Sequence, residues 1–294
     1  MNCSFQFLIF LFFKSLGIFA IGLATFVVST VVVGYYKSYY PFLLTKSFPF
    51  LVSHLIIFSW LIGGVVYSYY KVIRTKPGGV PLGMKTREQI DQIKQGRSKK
   101  YRYCKKCDNI KPPRCHHDRV TGKCVLKMDH YCVWINDCVG HYNHKFFLQF
   151  LTYCCLGCLY IVLCTFTPFL VDIGFLKPSS TSNQNYEKCS ILFVICLVCL
   201  ISVSFLLFWH MFLALTNQTT IEYYENKDRK AYCNENGLIY KNEYDLGKRN
   251  NWNWFFELKE NDRWWKFLFN FRRISNDGIT YPKANSTKKS ENIL

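Results

Sequence analysis

Apolar residues crowd into four runs long enough to cross a bilayer, and polar residues crowd between them. The pattern predicts an α-helical integral membrane protein with four transmembrane helices over about 15–36, 50–70, 147–171 and 190–215. The first run is flanked by Lys14 and Lys37, and the second ends in Tyr67, Tyr69 and Tyr70, an aromatic belt at a water interface. Pro168 marks a kink near the far end of the third. Phe5–Phe13 is too short to span and has neither a preceding basic residue nor a small-residue cleavage site. It is expected to join the next run as a signal anchor. The division that follows is 1–73 with helices 1 and 2, 74–146 as a polar domain, 147–215 with helices 3 and 4, and 216–294 as a tail.

Charge orients these spans. The formal net charge of +18 suits nucleic acid or an anionic membrane face, and four spans favour the membrane. Residues 71–145 hold 18 Lys and Arg against six acids and the tail holds 14, while the loops at 37–49 and 172–189 hold two each. That bias places both termini and the 71–145 loop in the cytosol. Cysteines there meet a reducing compartment, so they are thiols or metal ligands, not disulfides. Of the fifteen cysteines, the seven from Cys154 to Cys199 lie in or beside apolar runs and are expected to be small buried hydrophobes.

Two constellations in the cytosolic loop carry chemistry. Cys104-x-x-Cys107, His117 and Cys124 supply three thiolates and an imidazole, the donor set of a closed tetrahedral zinc site. His116 competes with His117 for the imidazole position, and spacing does not separate them. A few residues on, Asp129, His130 and Cys132 place an acid, an imidazole and a thiol within four positions. Histidine as base and an acid orienting it would activate the thiol for covalent catalysis. Residues two apart need a particular backbone shape to meet.

The stretch from Cys104 to Phe147 resembles the cysteine-rich domain of the DHHC-type protein S-acyltransferases (palmitoyltransferases). The likeness rests on Tyr103-Cys104-x-x-Cys107, Lys111-Pro112, Arg114, His116-His117, Cys124, Leu126-Lys-Met-Asp-His-x-Cys132, Trp134, Asn136, Cys138-Val-Gly140, Asn143 and Lys145-Phe-Phe147. Outside it, Thr219-Thr220-Ile221-Glu222 is similar to the family's TTxE motif, and Tyr244-Asp-Leu-Gly247 with Asn251 to its aromatic/Asn tail element. Pro77-Gly78 is similar to its DPG, with Lys76 in place of the acid.

The resemblance implies four spans with a zinc-bound domain between helices 2 and 3, and a two-step transfer. Cys132 would take the acyl group of a long-chain fatty acyl-CoA such as palmitoyl-CoA, then pass it to cysteines of cytosolic or membrane-associated proteins. His130 would be the base, Asp129 its partner, and Thr220 a neighbour. The chain would lie among the spans, where Gly157 leaves room for a longer one. An endomembrane, endoplasmic reticulum or Golgi, is expected over the plasma membrane, and nucleic acid is not an expected partner. The family's second histidine of DHHC is Tyr131 here, and two further ligand positions of its second zinc site read Asp118 and Thr121, with Cys138 retained. One structural zinc is therefore expected. The alternative to an enzyme is an inactive membrane-anchored zinc-module adaptor, which would have no need of both Asp129-His130-x-Cys132 and Thr219-Thr220.

Four tryptophans between Trp252 and Trp265 interleave with Phe, Lys and Arg. This segment is expected either as a helix in the membrane interface or as a soluble helix packed on the cytosolic domain. Residues 274–294 are polar and expected to be disordered.

Overall fold

An apolar segment in lipid must satisfy its own backbone groups, and an α-helix does so within one chain. The structure, a computed structural model, describes residues 3–81, 101–178 and 186–284, and all four runs are helical in it. Helix α1 (Cys3–Gly34) continues through a π-helical turn (Tyr35–Tyr39) into the short α2 (Tyr40–Leu43). Helices α3 (Phe48–Arg74), α4 (His144–Asp172) and α5 (Tyr186–Leu215) complete the set, each long and apolar enough to cross a membrane. The first span runs from Phe7 to Leu43 as 37 residues. It therefore begins well before Lys14. That lysine is accommodated because its long stem carries the ammonium to the Asn136 carbonyl, 2.7 Å away.

The chain packs as two compact units. One comprises residues 19–70 and 148–209. In its core Tyr35 stacks on Phe58 with ring centroids 3.7 Å apart, surrounded by Tyr39, Leu43, Ile161, Leu192 and Cys196. Cys196 is fully buried there and behaves as a small hydrophobe. Gly157 is buried in α4 within this unit, and a methyl group placed on it would meet no atom within 4 Å.

The other unit comprises residues 1–18, 71–147 and 210–294. Three antiparallel hairpins form its centre: β1 (Arg102–Cys104) with β2 (Asn109–Lys111), β3 (His116–His117) with β4 (Cys124–Val125), and β5 (His130–Cys132) with β6 (Asp137–Val139). Strands this short do not hold themselves in place. The Pro77-Gly78 turn braces them: Leu126 N–H donates to the Gly78 carbonyl at 3.0 Å and Tyr142 N–H to that of Pro77 at 3.1 Å. Gly78 takes φ of 110°, open to glycine alone. Gly140 fits because a Cβ there would come within 2.7 Å of Val125 Cγ1 and 3.0 Å of two carbonyl oxygens.

Helix α6 (Thr220–Glu235) follows α5, and α7 (Lys248–Phe256) opens the aromatic tail. Asn251, Trp252, Phe255 and Phe256 of α7 are buried, whereas Trp264, Trp265 and Phe269 of the next 3-10 turn (Trp264–Phe269) are exposed. Asn251 anchors the tail by donating to the Leu215 carbonyl at 2.8 Å and accepting from Leu246 N–H at 2.9 Å. The expectation of disorder from residue 274 is corrected. Tyr281 is buried and its ring lies 4.9 Å from the Arg114 guanidinium, so a cation–π contact holds the segment in place. Residues 285–294 lie outside the described range.

Candidate active site and metal centre

The hairpin of β5 and β6 solves the meeting of His130 with Cys132. Alternate residues of a strand share a face, so His130 and Cys132 point one way and Tyr131 the other. The register pairs His130 with Val139, Tyr131 with Cys138 and Cys132 with Asp137, across a 3-10 turn (Val133–Ile135) closed by Asn136 at φ of 54°. Asparagine is one of the few side chains that tolerates that conformation.

On the first face, the His130 imidazole Nδ1 lies 2.7 Å from Asp129 Oδ2, and the Cys132 side chain is near enough to act on the charge of the same ring. Burial acts against a charged imidazole here. The Asp129 carboxylate and the Cys132 sulfur outweigh it and lift His130 to about 9. For Asp129, burial works to raise the pKa, but the His130 hydrogen bond and the surrounding histidines hold it well below the usual carboxylate range. Its carboxylate is fully buried while the His130 side chain remains 31% exposed, so the imidazole borders solvent and its acid does not.

Thr219-Thr220-Ile221-Glu222 closes the site from the start of α6. Thr219 caps the helix reciprocally with Glu222, its hydroxyl accepting from Glu222 N–H at 3.2 Å and its own N–H donating to Glu222 Oε2 at 2.9 Å. Thr220 donates to Asp129 from its N–H at 2.8 Å and its hydroxyl at 3.0 Å. Glu222 also receives both arms of the buried Arg114 guanidinium at 2.7 Å. Despite burial, that ion pair keeps the Glu222 carboxyl low. Arg114 further donates to the Asn217 side chain and carbonyl and lies 4.5 Å from the Tyr244 ring.

The metal-ligand pattern closes in the other two hairpins. Cys104, Cys107, His117 and Cys124 bring their ligand atoms within 4.8 Å of one another. His117 Nδ1 lies 3.1 Å from the Cys107 sulfur, 3.5 Å from that of Cys104 and 3.8 Å from that of Cys124. A tetrahedral zinc with bonds of about 2.0 Å to nitrogen and 2.3 Å to sulfur spaces its donors near these distances, so the cluster fits the ion. His117, not His116, supplies the imidazole of this cluster.

The DHHC palmitoyltransferase family model matches residues 97–227. Probable protein S-acyltransferase 12 of Arabidopsis thaliana is 32% identical over 266 residues, covering 84% of this chain and 86% of that protein. The chain belongs to the DHHC family of protein S-acyltransferases. Probable protein S-acyltransferase 16 of Arabidopsis thaliana is 35% identical over 195 residues, 63% of this chain and 66% of that protein. Palmitoyltransferase ZDHHC16A of Danio rerio is 28% identical over 293 residues, 84% of this chain and 73% of that protein. An inactive adaptor is not favoured.

Within this S-acyltransferase, the opposite face of the β5–β6 hairpin is packed by side chains. Tyr131 sits across from Cys138, donates its hydroxyl to Asn136 Oδ1 at 3.2 Å, and meets the edge of the Phe13 ring at 5.8 Å. Asp118 turns its carboxylate onto the backbone, accepting from Thr121 N–H at 2.6 Å. Burial, reinforced by Asp118, pushes the Cys138 thiol up and keeps it neutral.

Two histidines beside Asp129 were missed in the sequence as its partners. His144 Nε2 lies 3.2 Å from His210 Nδ1, and both are buried within 4.8 Å of an Asp129 oxygen. These three could also hold a metal by distance alone, but the Asp129 oxygens already accept from Thr220 and pair with His130. His210 carried one signal: an ionisable residue inside an otherwise apolar span is seldom idle.

Proposed function

We propose that Cys132 is the acyl-carrying nucleophile of this S-acyltransferase, with palmitoyl-CoA as donor and cysteine thiols of cytosolic or membrane-associated proteins as acceptors. The observation that carries this reading is the shared strand face of His130 and Cys132, backed by the buried Asp129. In the first half-reaction the Cys132 sulfur attacks the thioester carbonyl, the bond from that carbon to the CoA sulfur breaks, and the His130 imidazolium protonates the departing thiolate. In the second, neutral His130 takes the proton of the acceptor thiol. That sulfur attacks the acyl-enzyme carbonyl, and Cys132 leaves as thiolate beside the imidazolium. Asp129 keeps the imidazole oriented and stabilises its charge, and Thr220 holds Asp129 in register.

A single structural zinc on Cys104, Cys107, His117 and Cys124 would knit the two outer hairpins together, since few aliphatic residues lie there to do it. The acyl chain would enter the span region, where each buried CH₂ is worth about 0.8 kcal/mol. Gly157 is the residue we assign to chain length, because a methyl added there meets open space. Residues 74–146 would form the cytosolic zinc domain, with 1–73, 147–215 and 216–294 as the flanking segments. The Lys and Arg bias supports both termini in the cytosol, and we assign the protein to an endomembrane, endoplasmic reticulum or Golgi.

Purified full-length protein incubated with alkyne-tagged palmitoyl-CoA tests the reading. Hydroxylamine-sensitive label on the wild type that vanishes in Cys132→Ser supports it. Label that persists in Cys132→Ser moves the nucleophile elsewhere.

A further inference from the structure

Where the last span ends, the chain folds back and leaves a cleft of about 750 Å³. Its apolar floor is Met211 and Leu215, from the final turn of α5. One wall is the start of α7, presenting Lys248 and Arg249, with Trp252 behind them. The other is the turn that carries Arg263, Trp264 and Trp265. Trp252 Nε1–H donates to the Trp264 carbonyl at 3.2 Å, so the two walls are joined at their base.

The charge of this cleft is unbalanced. Among the described residues no ion pair uses Lys248, Arg249 or Arg263. The carboxylate in the lining, Asp262, is already held by Lys266 at 2.5 Å. Arg249 donates to a neutral group, the Glu260 carbonyl, at 3.1 Å. Three cations thus face a cavity whose floor is the end of a membrane helix. Trp264 and Trp265 are 66% and 40% exposed beside it, although nothing soluble favours bare indoles. Indole rings of this kind settle at the headgroup level of a bilayer.

We infer that this cleft binds one anionic glycerophospholipid. The phosphate and any further anionic headgroup charge would lie against Lys248, Arg249 and Arg263, and the acyl chains would follow Met211 and Leu215 into the leaflet. A free phosphate would satisfy the cations but leave the apolar floor and the indoles uncovered. A zwitterionic lipid would cover the floor while setting its own cation among three others. The site is separate from the transfer chemistry and stands whether or not Cys132 is the nucleophile.

Native mass spectrometry of the full-length protein in detergent, with phosphatidylserine and phosphatidylcholine supplied equally, tests this. The wild type should retain one phosphatidylserine per chain in at least ten-fold preference to phosphatidylcholine. Lys248→Gln/Arg249→Gln/Arg263→Gln should lose that preference at unchanged zinc content, which reports an intact fold. Trp264→Ala, which alters no charge, should weaken retention as well. Equal retention of the two lipids, or full retention in the triple variant, would overturn the assignment. So would displacement of the lipid by millimolar inorganic phosphate or by free CoA, which would mark the cleft as a site for a soluble anion.

Discussion

Thr220 donates twice to Asp129, from its backbone N–H at 2.8 Å and from its hydroxyl at 3.0 Å. Residues far apart in the chain thereby fix the acid that orients His130. Thr220→Val keeps the N–H and removes the hydroxyl. One hydrogen bond to a charged group is worth about 1.5–3 kcal/mol, so Cys132 acylation should slow by roughly 10- to 100-fold. Thr219→Ala removes the helix cap instead and should cost about 1 kcal/mol of stability, with a smaller effect on rate. Single-turnover labelling alongside thermal melting separates them; two variants with the same profile would merge the roles assigned to the two threonines.

Arg114 and Glu222 form a different kind of pair. Both are buried and paired at 2.7 Å, and each would be stranded without the other. Removing one partner of such a pair costs about 3–5 kcal/mol, whereas replacing both by apolar residues costs much less. Arg114→Leu and Glu222→Leu should each lower the melting temperature sharply, and the double variant should recover part of the loss. Strictly additive losses would show that the pair contributes no coupling.

How far the sequence revealed these features depends on how local each one is. Four apolar runs of membrane length admit few readings, and C-x-x-C with a following His and Cys announces a metal site. The spacing of His130 and Cys132 was silent on its own, because a three-residue strand leaves no periodicity; the hairpin with Asp137–Val139 had to be seen. Arg114 meets Glu222 across 108 positions, and no local pattern encodes that contact. Tyr281 looked like part of a polar tail, and its burial comes from the Arg114 guanidinium and the rings of His141, Tyr244 and Trp254, which the tail reaches only in three dimensions.

The division of cysteines among the three hairpins makes a prediction about metal. Cys124 belongs to the closed cluster, while Cys138 lies with Tyr131 and Asp118. Elemental analysis of purified protein should return one zinc per chain. Cys138→Ser should keep it, because that thiol lies outside the cluster of Cys104, Cys107, His117 and Cys124. Cys124→Ser should lose it and become protease-sensitive in the 101–126 region, since the ligand set does much of the folding there. Two zincs in the wild type, or loss of zinc in Cys138→Ser, would restore the second site.

His130 gives stability a pH dependence of known sign. Its pKa rises from 6.5 unfolded to about 9 folded, so the folded state binds the proton more tightly. Below about pH 6.5 both states are protonated and the contribution is complete. Between about 6.5 and 9 the unfolded chain gives up its proton first, and the contribution falls away. Above about 9 it is gone. For a ring that is partly exposed, the full contribution is on the order of 2 kcal/mol. Asp129 acts in the opposite sense, since its stabilisation is present above the ordinary carboxylate range and is lost only in strong acid. Melting temperatures of wild type and His130→Gln measured from pH 6 to 10 should differ most at pH 6 and converge by pH 10. A gap that stays constant across that range would mean His130 is neutral beside Asp129, and the proton donated to the leaving CoA thiolate would have to come from another group.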